Sequence, residues 1–229
     1  MITDPPILTI RRNFPRPDAD LVAAFAGVPT GHVVDAMNGR GALDYCIKPL
    51  APGSQVTVGV ALTCDNGPAD NLAVFGALDA AKPGDIVVAA TDSFTRTALI
   101  GDLLLGMLKN RGVLAFVTDG LVRDLPGLLA VGLPVYCAGL TPNSPVRNGP
   151  GTVGLPMVVG GIHVEPGDIV VADQDGVVIV PRGQARQVLE GLSGVRAAEA
   201  ALEAKVKGGL EVPDFVETLL RSDRVVELP

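Results

Sequence analysis

Between residues 54 and 139, short apolar runs rich in β-branched residues alternate with segments of helical spacing, and turns containing glycine or proline separate them. The strand candidates are SQVTVGVALTCD (54–65), IVVAA (86–90), VLAFVTD (113–119) and LPVYCAG (133–139). Helices are predicted between them at about 69–81, at 102–110 and from about residue 125. β-α-β units produce this alternation, so we expect a parallel sheet.

The flanking regions have other patterns. Helical spacing predicts a helix over 18–28, and a second helix that Thr30 caps and Gly39 ends. Beyond residue 154 the strands are closely spaced, and the Asp-Gly pair in ADQDGVVIV predicts a hairpin, so part of the sheet system is antiparallel. KPGDIVVAATD (82–92) and EPGDIVVADQD (165–175) share turn and strand residues, which we interpret as recurring local geometry.

Length and composition predict one domain over residues 1–229, with a Pro-rich arm at about 1–17 and C-terminal helices at about 184–222. The net charge is −7 and aromatic residues make up 3%, which argues against nucleic acid as a ligand. Pro and Arg interrupt the N-terminus, so we expect neither a signal peptide nor a membrane span, and a cytoplasmic protein. Three distant cysteines predict buried free thiols.

Three charged residues lie at equivalent ends of one predicted strand-helix-strand unit. Asp102 stands at a predicted helix start, and after an interval of twenty residues Arg123 and Asp124 follow a buried strand. Open α/β sheets bind ligands at this edge. Either aspartate could simply cap the helix that follows it. Capping leaves Arg123 unexplained, because a charged side chain that ends a buried strand usually has a partner or a ligand.

The chemistry of these side chains indicates a small 2-oxo acid as the ligand. Two carboxylates suit a hydrated Mg²⁺ or Mn²⁺, and a planar guanidinium matches a carboxylate or keto oxygen. Gly101 lets an anion approach the backbone, and the amides of Leu103 and Leu104 point along the helix axis towards it.

The chain resembles a known family in the pattern Gly101-Asp102, twenty residues, then Arg123-Asp124. The resemblance extends to three flanking segments, PTGHVVDAMNGRGALD, KPGDIVV and GLPMVVGGIHVEPGDIVVADQDGVVIVP. The family is the class II pyruvate aldolases that include 4-hydroxy-4-methyl-2-oxoglutarate aldolase, homologous to the regulator of ribonuclease activity A (RraA). The resemblance covers roughly residues 28–182. It implies an α/β fold, a layered α-β-β-α sandwich with mixed sheets of the swivelling β/β/α type.

The resemblance also implies roles for individual residues. Asp124 would be the direct ligand of the divalent metal and Asp102 would reach it through water, while Arg123 and the amides from Gly101 to Leu104 would hold the pyruvyl group. Members of the family assemble as trimers or hexamers with an acidic residue of a neighbouring subunit near the metal waters. Asp35 is the candidate here, and Glu199 is a weaker one, also explained as a solvated helix charge.

The expected function is therefore metal-dependent aldol cleavage of 4-hydroxy-2-oxo acids, with oxaloacetate decarboxylation as a second activity. No lysine has a setting suited to a Schiff base, which leaves the metal as the electron sink. His32 and His163 are interpreted as lone, half-buried histidines, so water is the expected proton shuttle. The alternative is a non-catalytic regulator that binds a ribonuclease or another protein, and the presence of Asp102 favours the enzyme.

The sequence does not specify which residue binds the distal half of the substrate. Arg40, Arg96 and Arg147 could each bind a distal carboxylate, but each is also explained as an ordinary exposed arginine.

Overall fold

The computed structural model describes residues 4, 6–53 and 55–228. Residues 1–3 and 5 of the predicted arm, and Ser54 at the start of the first predicted strand, lie outside the described residues. The helices are α1 (Ala19–Ala23), α2 (Thr30–Ala36), α3 (Leu72–Ala80), α4 (Asp102–Asn110), α5 (Leu125–Val131), α6 (Ala185–Lys207) and α7 (Asp214–Leu220). The strands are β1 (Leu8–Ile10), β2 (Lys48–Pro49), β3 (Thr57–Asp65), β4 (Asp85–Ala90), β5 (Ala98–Ile100), β6 (Ala115–Thr118), β7 (Leu121–Val122), β8 (Val135–Cys137), β9 (Gly139–Leu140), β10 (Gly151–Val153), β11 (Met157–Val159), β12 (Ile162–Val164), β13 (Ile169–Ala172) and β14 (Val177–Val180).

The largest sheet is built around β3 and is mixed. Its order is β1-β10-β3-β4-β6-β8-β2, and β3, β4, β6 and β8 run parallel, as the alternation of strands and helices predicts. One edge of β3 is shared by two antiparallel partners, because β13 pairs with Thr57–Val60 and β10 pairs with Cys64–Asp65. The predicted Asp-Gly hairpin is β13–β14, and it extends this sheet.

Three apolar clusters give the chain its layers. On one face of the sheet, side chains of β3, β4 and β6 pack against α3, α4 and α5. On the other face they pack against the β11–β12 hairpin and the strands β13 and β14. The outer face of β13 and β14 is covered by residues of α1, α2 and α6. The predicted α-β-β-α sandwich with mixed sheets is confirmed. That residues 1–229 form a single domain stays a prediction.

A separate three-stranded parallel sheet, β5-β7-β9, positions the residues singled out above. Gly101 and Asp102 directly follow β5, and Arg123 directly follows β7. The Arg123 amide donates to the Ile100 carbonyl at 3.0 Å, which fixes the relative position of the two chain segments. From its sequence, Arg123 was expected to follow the strand predicted at 113–119. That strand ends at Thr118, and β7 is a new strand in another sheet.

Several local predictions need correction. The first helix is shorter than 18–28, and the predicted arm contains the edge strand β1, which pairs in parallel with β10. Thr30 is the first residue of α2 and does not cap it; its hydroxyl donates to Asp173 Oδ1 at 2.7 Å and thereby joins α2 to the β13–β14 turn. Gly39 does end the helix: its φ is +79°, and its amide donates a hydrogen bond to the Val34 carbonyl.

The repeated Pro-Gly-Asp segments form the same turn twice. Asp85 Oδ2 accepts the amide of Lys82 and Asp168 Oδ2 accepts the amide of Glu165, each at 2.9 Å. Both strands that follow then pair with Val60 of β3, from opposite edges. The recurrence is local geometry, as expected.

The cysteines are unpaired, but only two of them are buried. Burial raises the pKa of the Cys64 thiol, and raises that of Cys137 to about 11, so both stay protonated at neutral pH. Cys46 is exposed, which corrects the prediction for that residue. Over the described part of the chain, no helix combines the length and apolarity that a membrane span requires.

Candidate active site

A cleft of about 350 Å³ opens where β5 and β7 end. Gly101, Asp102, Leu103 and Leu104 line it from the first turn of α4, and Arg123 and Asp124 line it from the start of α5. The structure therefore brings the sequence-predicted substrate and metal residues of the chain's own site to one cleft. Their roles in binding stay predictions.

The first turn of α4 forms the floor of the cleft. Gly101 is the N-cap residue in extended conformation, with φ −124°, and Asp102 is the first helical residue. Asp102 Oδ1 accepts the amide of Leu103 at 2.8 Å. The first amides of a helix have no carbonyl partner within it and carry the positive end of its dipole. Asp102 already takes the Leu103 amide, so this end of the cleft offers an anion the Leu104 amide and the helix dipole.

Asp124 occupies the N-cap position of α5 without capping it. Its backbone is left-handed, with φ 63° and ψ 44°, and its carboxylate makes no hydrogen bond to the helix amides. The left-handed conformation costs most residues other than glycine about 1 kcal/mol or more, and costs asparagine and aspartate less. The carboxylate lies 3.4 Å from Arg123 Nε and is 46% exposed. Capping thus does not explain Asp124, and the strained backbone directs its carboxylate into the cleft.

Two glycines make room for the two carboxylates. A Cβ on Gly101 would stand 2.3 Å from Asp124 Oδ2, and a Cβ on Gly127 would stand 2.2 Å from Asp102 Oδ2. The Asp124 carboxylate thus lies against the start of α4, which carries Asp102. The Asp102 carboxylate lies against the start of α5, which follows Asp124. Only glycine at both positions permits this arrangement.

The Arg123 guanidinium is held from the other side by a loop distant in sequence. Its Nη1 donates to Ser144 Oγ at 2.5 Å, while its Nε faces Asp124. A guanidinium has five N–H donors in one plane. Two contacts orient that plane and leave further donors for a ligand.

The sequence pattern did not predict a second wall of this cleft, formed by Asn71, Phe75, Ser144, Pro145 and Arg147, although Arg147 was one of three candidate arginines. Leu99, Ile100 and Met107 complete the lining. The Arg147 guanidinium stands 4.9 Å over the Phe75 ring, and Asn71 Nδ2 donates to the Leu99 carbonyl at 3.0 Å. The one available signal was the arginine in NSPVRN, and the pattern did not separate it from Arg40 and Arg96, which do not line the cleft.

The acidic residues expected from a neighbouring subunit lie elsewhere in the chain. Asp35 lines a different cleft together with Lys48 and Asp175. Glu199 on α6 contacts His32 Nε2. Neither lines the cleft of Asp124 within one chain, and their action across a subunit boundary stays a prediction.

The residues available for a metal are few. Within residues 4, 6–53 and 55–228, no group of three or more His, Cys, Asp or Glu side chains is arranged to hold a metal ion. The cleft offers the carboxylates of Asp124 and Asp102, which are oxygen donors. Such a set fits a hard cation that keeps most of its waters, such as Mg²⁺ or Mn²⁺, and does not fit a cage of protein ligands.

Comparison with known proteins gives a consistent family. The model of the RraA-like family, described as aldolase/RraA, matches residues 30–179. A Halalkalibacterium halodurans protein, provisionally named 4-hydroxy-4-methyl-2-oxoglutarate aldolase, is 36% identical over 189 residues, which are 82% of this chain and 90% of that protein.

Two solved structures are similar over much of the chain. RraAS2 of Streptomyces coelicolor, described as an unusual member of the RNase ES inhibitor RraA family, has a TM-score of 0.74 at 27% identity, over 83% of this chain and all of that one. The RNA-processing inhibitor RraA from Thermus thermophilis has a TM-score of 0.61 at 28% identity, over 67% of this chain and 93% of that one. With a family model that matches more than half of its residues, this chain belongs to the RraA-like family.

Proposed function

We propose that this protein is a lyase that cleaves 4-hydroxy-2-oxo acids, of the 4-hydroxy-4-methyl-2-oxoglutarate type, and releases pyruvate with the help of a divalent metal. The observation that carries the proposal is Asp124, an N-cap residue in a strained left-handed conformation that caps nothing and faces a cleft beside Arg123. Strain of this kind collects at functional sites. The aldolase name of the 36% identical relative supports the same reaction.

The pyruvyl half of the substrate would bind between Arg123 and the start of α4. The Leu104 amide and the helix dipole favour the carboxylate at C1, and Arg123 donates to the keto oxygen at C2. This arrangement orients the C3–C4 bond for cleavage and places a fixed positive charge where negative charge develops.

Asp124 would hold the metal directly and Asp102 through water, because these are the carboxylates that line the cleft. When bound, Mg²⁺ or Mn²⁺ would polarise the 2-oxo group as a Lewis acid. Gly101 and Gly127 supply the space that both carboxylates need.

Cleavage breaks the C3–C4 bond of the substrate, and its electron pair moves into the enolate of pyruvate. Arg123 stabilises the charge on the enolate oxygen. The proton of the C4 hydroxyl leaves to water, since no histidine is among the described residues that line the cleft, and a proton from water then adds to C3 of the enolate to give pyruvate. Loss of CO₂ from oxaloacetate gives the same enolate, so oxaloacetate decarboxylation is the second activity of the proposal.

The second candidate is a non-catalytic regulator that binds a ribonuclease or another protein. The similarity to structures described as inhibitors of RNA processing favours it. A protein-binding surface, however, gives no reason for two carboxylates, two spacing glycines and an oriented arginine in one cleft. The enzyme accounts for all of them.

The proposed assembly is a homotrimer or homohexamer in which Asp35 reaches the site of a neighbouring subunit, with Glu199 as the weaker candidate. Both residues lie away from the cleft of their own chain, and this supports the proposal. The ligand is a small 2-oxo acid, with no direct role for nucleic acid or membrane.

A pyruvate-release assay over a panel of 4-hydroxy-2-oxo acids and oxaloacetate tests the function. We expect activity that EDTA abolishes, that Mg²⁺ or Mn²⁺ restores, and that borohydride in the presence of pyruvate leaves intact. Full activity in chelator would refute the metal mechanism. No activity on any substrate, together with tight binding to a ribonuclease, would establish the regulator.

A further inference from the structure

Arg147 holds a charge at the cleft that pairs with no carboxylate of the described residues. Its guanidinium stands 4.9 Å over the Phe75 ring and lines the same cleft as Arg123. Among the ion pairs of residues 4, 6–53 and 55–228, none involves Arg147, whereas Arg123 pairs with Asp124. Arg147 is exposed on a chain with a net charge of −7, so a cation that lines this cleft provides a local attraction for an anionic ligand.

The backbone around Arg147 is fixed on both sides. Before it, Val146 exchanges backbone hydrogen bonds with the start of α3: its amide donates to the Ala69 carbonyl at 2.8 Å, and its carbonyl accepts the Asn71 amide at 3.0 Å. After it, the amides of Asn148 and Gly149 donate to one carboxylate oxygen of a buried aspartate. An ordinary exposed arginine in a loop has no such anchors.

That aspartate is Asp70, which is 5% exposed. Its Oδ2 accepts the amides of Asn148 at 2.6 Å and Gly149 at 2.9 Å, and its Oδ1 accepts the amide of Leu72 at 2.8 Å. One carboxylate thereby joins the loop that carries Arg147 to the start of α3, which carries Phe75. The guanidinium and the ring below it are held by the same group.

The loop also links the two arginines of the cleft. Ser144, which accepts from Arg123, lies three residues before Arg147. The cleft thus has a first cation, Arg123, for the pyruvyl end of a ligand and a second cation, Arg147, on the second wall. Two fixed cations in about 350 Å³ suit a small molecule with an anionic group at each end.

We propose that Arg147 binds the distal carboxylate of a dicarboxylic 2-oxo acid, and that Asp70 is the residue that positions it. The inference rests on the proposed function for the identity of the first half of the ligand. It makes this protein selective for dicarboxylic substrates over monocarboxylic ones of the same length.

Calorimetry with two stable probes tests the selectivity, with and without Mn²⁺. The probes are 2-oxoglutarate, which has a distal carboxylate, and 2-oxopentanoate, which has the same chain length without it. Arg147→Ala should lower the affinity for 2-oxoglutarate about 10- to 100-fold, the scale of one lost charge-assisted contact. It should lower the affinity for 2-oxopentanoate less than about 2-fold. Arg40→Ala removes the same charge outside the cleft and should change neither affinity.

Asp70→Asn tests the positioning role. Asparagine has one acceptor oxygen, so its N–H₂ group must face either the two loop amides or the Leu72 amide, and one of the two segments that Asp70 joins loses its acceptor. We expect the same selective loss of 2-oxoglutarate, together with faster amide hydrogen exchange at residues 146–149. Asp223→Asn, an exposed position, is the matched control and should change neither measurement.

The outcomes separate this inference from the proposed function. If the protein cleaves 4-hydroxy-2-oxo acids and Arg147→Ala weakens both probes equally, or neither, the distal site is wrong and the lyase stands. If no substrate is cleaved but Arg147→Ala still selectively weakens the binding of 2-oxoglutarate, the distal site is supported and the proposed reaction is wrong. If the wild-type protein binds neither probe, the inference is overturned.

Discussion

The carboxylate of Asp124 fills the space in which a side chain at Gly101 would lie, since a Cβ there would stand 2.3 Å from Asp124 Oδ2. Gly101 caps α4, and Asp124 precedes α5. The hydrogen bond from the Arg123 amide to the Ile100 carbonyl holds the two segments at this separation. The cleft therefore depends on a glycine whose own backbone conformation any residue could adopt.

Gly101→Ala should abolish activity while the protein stays folded. The φ of −124° accepts alanine without strain, so the added methyl acts by displacing the Asp124 carboxylate. We expect turnover to fall at least about 10²-fold, the cost of a misplaced reacting group, with little change in Tm. Gly106→Ala in the same helix is the control: its Cβ meets Val131 at 3.9 Å, and activity should be kept. Equal activity of both variants in the pyruvate assay would contradict the role of Gly101.

Substitutions of Asp124 should separate binding from stability. Asparagine tolerates the left-handed conformation, whereas for alanine it costs about 1 kcal/mol. Asp124→Asn and Asp124→Ala should both lose Mn²⁺ binding and turnover, because each removes the carboxylate. Only the alanine variant should lose free energy of unfolding, measured by urea denaturation. Retained Mn²⁺ affinity in the asparagine variant would exclude Asp124 as the metal ligand.

Arg123 should affect catalysis more than metal binding. Arg123→Ala is expected to leave Mn²⁺ affinity nearly unchanged and to lower turnover about 10²-fold or more, the scale of one lost oxyanion donor. Arg123→Lys should restore little, since an ammonium cannot reproduce the planar fork that faces Asp124 and Ser144. Calorimetry beside steady-state kinetics measures both effects. Loss that merely follows the folded fraction would make this a structural arginine.

The stability of the fold should depend on pH through Asp65, away from the cleft. Desolvation, with the nearby Asp92 and Asp119, raises the pKa of Asp65 above its ordinary value. A carboxyl with a raised folded-state pKa costs stability once it ionises, so the penalty appears as pH rises through that pKa. Asp65→Asn should therefore raise Tm at pH 7, and the gain should vanish in acid, where Asp65 is also neutral.

The control is Asp223→Asn, which removes an exposed carboxylate and should give no comparable gain. In the Asp65→Asn variant, the new amide oxygen can still accept the Gly67 amide, a bond that Asp65 makes at 3.3 Å. A gain in Tm that persists unchanged at low pH would show that the charge of Asp65 is not its source.

Asp35 should complement Asp124 across a subunit boundary. If each site takes Asp124 from one chain and Asp35 from its neighbour, Asp35→Ala and Asp124→Ala are each inactive alone. Co-refolding them in equal amounts should restore roughly a quarter of the sites, those with both carboxylates intact. Light scattering should show a trimer or hexamer in each sample. An active monomer, or no recovery in the mixed assembly, would remove Asp35 from the site.

Local pattern predicted much of this fold. Helix α4 has the bounds that the spacing indicates, from Asp102 to Asn110, because a glycine N-cap and an apolar face specify it within nine residues. Strands β4 and β6 lie where the β-branched runs are, since a buried parallel strand needs continuous apolar side chains. The proximity of Asp102 to Arg123 and Asp124 was predicted from a strand-helix-strand unit, but the structure places Arg123 after β7, in a different sheet from the predicted strand.

The sequence by itself thus determined the family, the layer architecture and one wall of the cleft. Only the tertiary structure decided the second wall. Strands β5, β7 and β9 have two or three residues each, too few for a periodic signal, and hydrogen bonds between distant segments specify them. Asp70 anchors the loop of Arg147 from 78 positions away in the chain. No pattern along a chain encodes such a contact, because it exists only when packing brings its partners together.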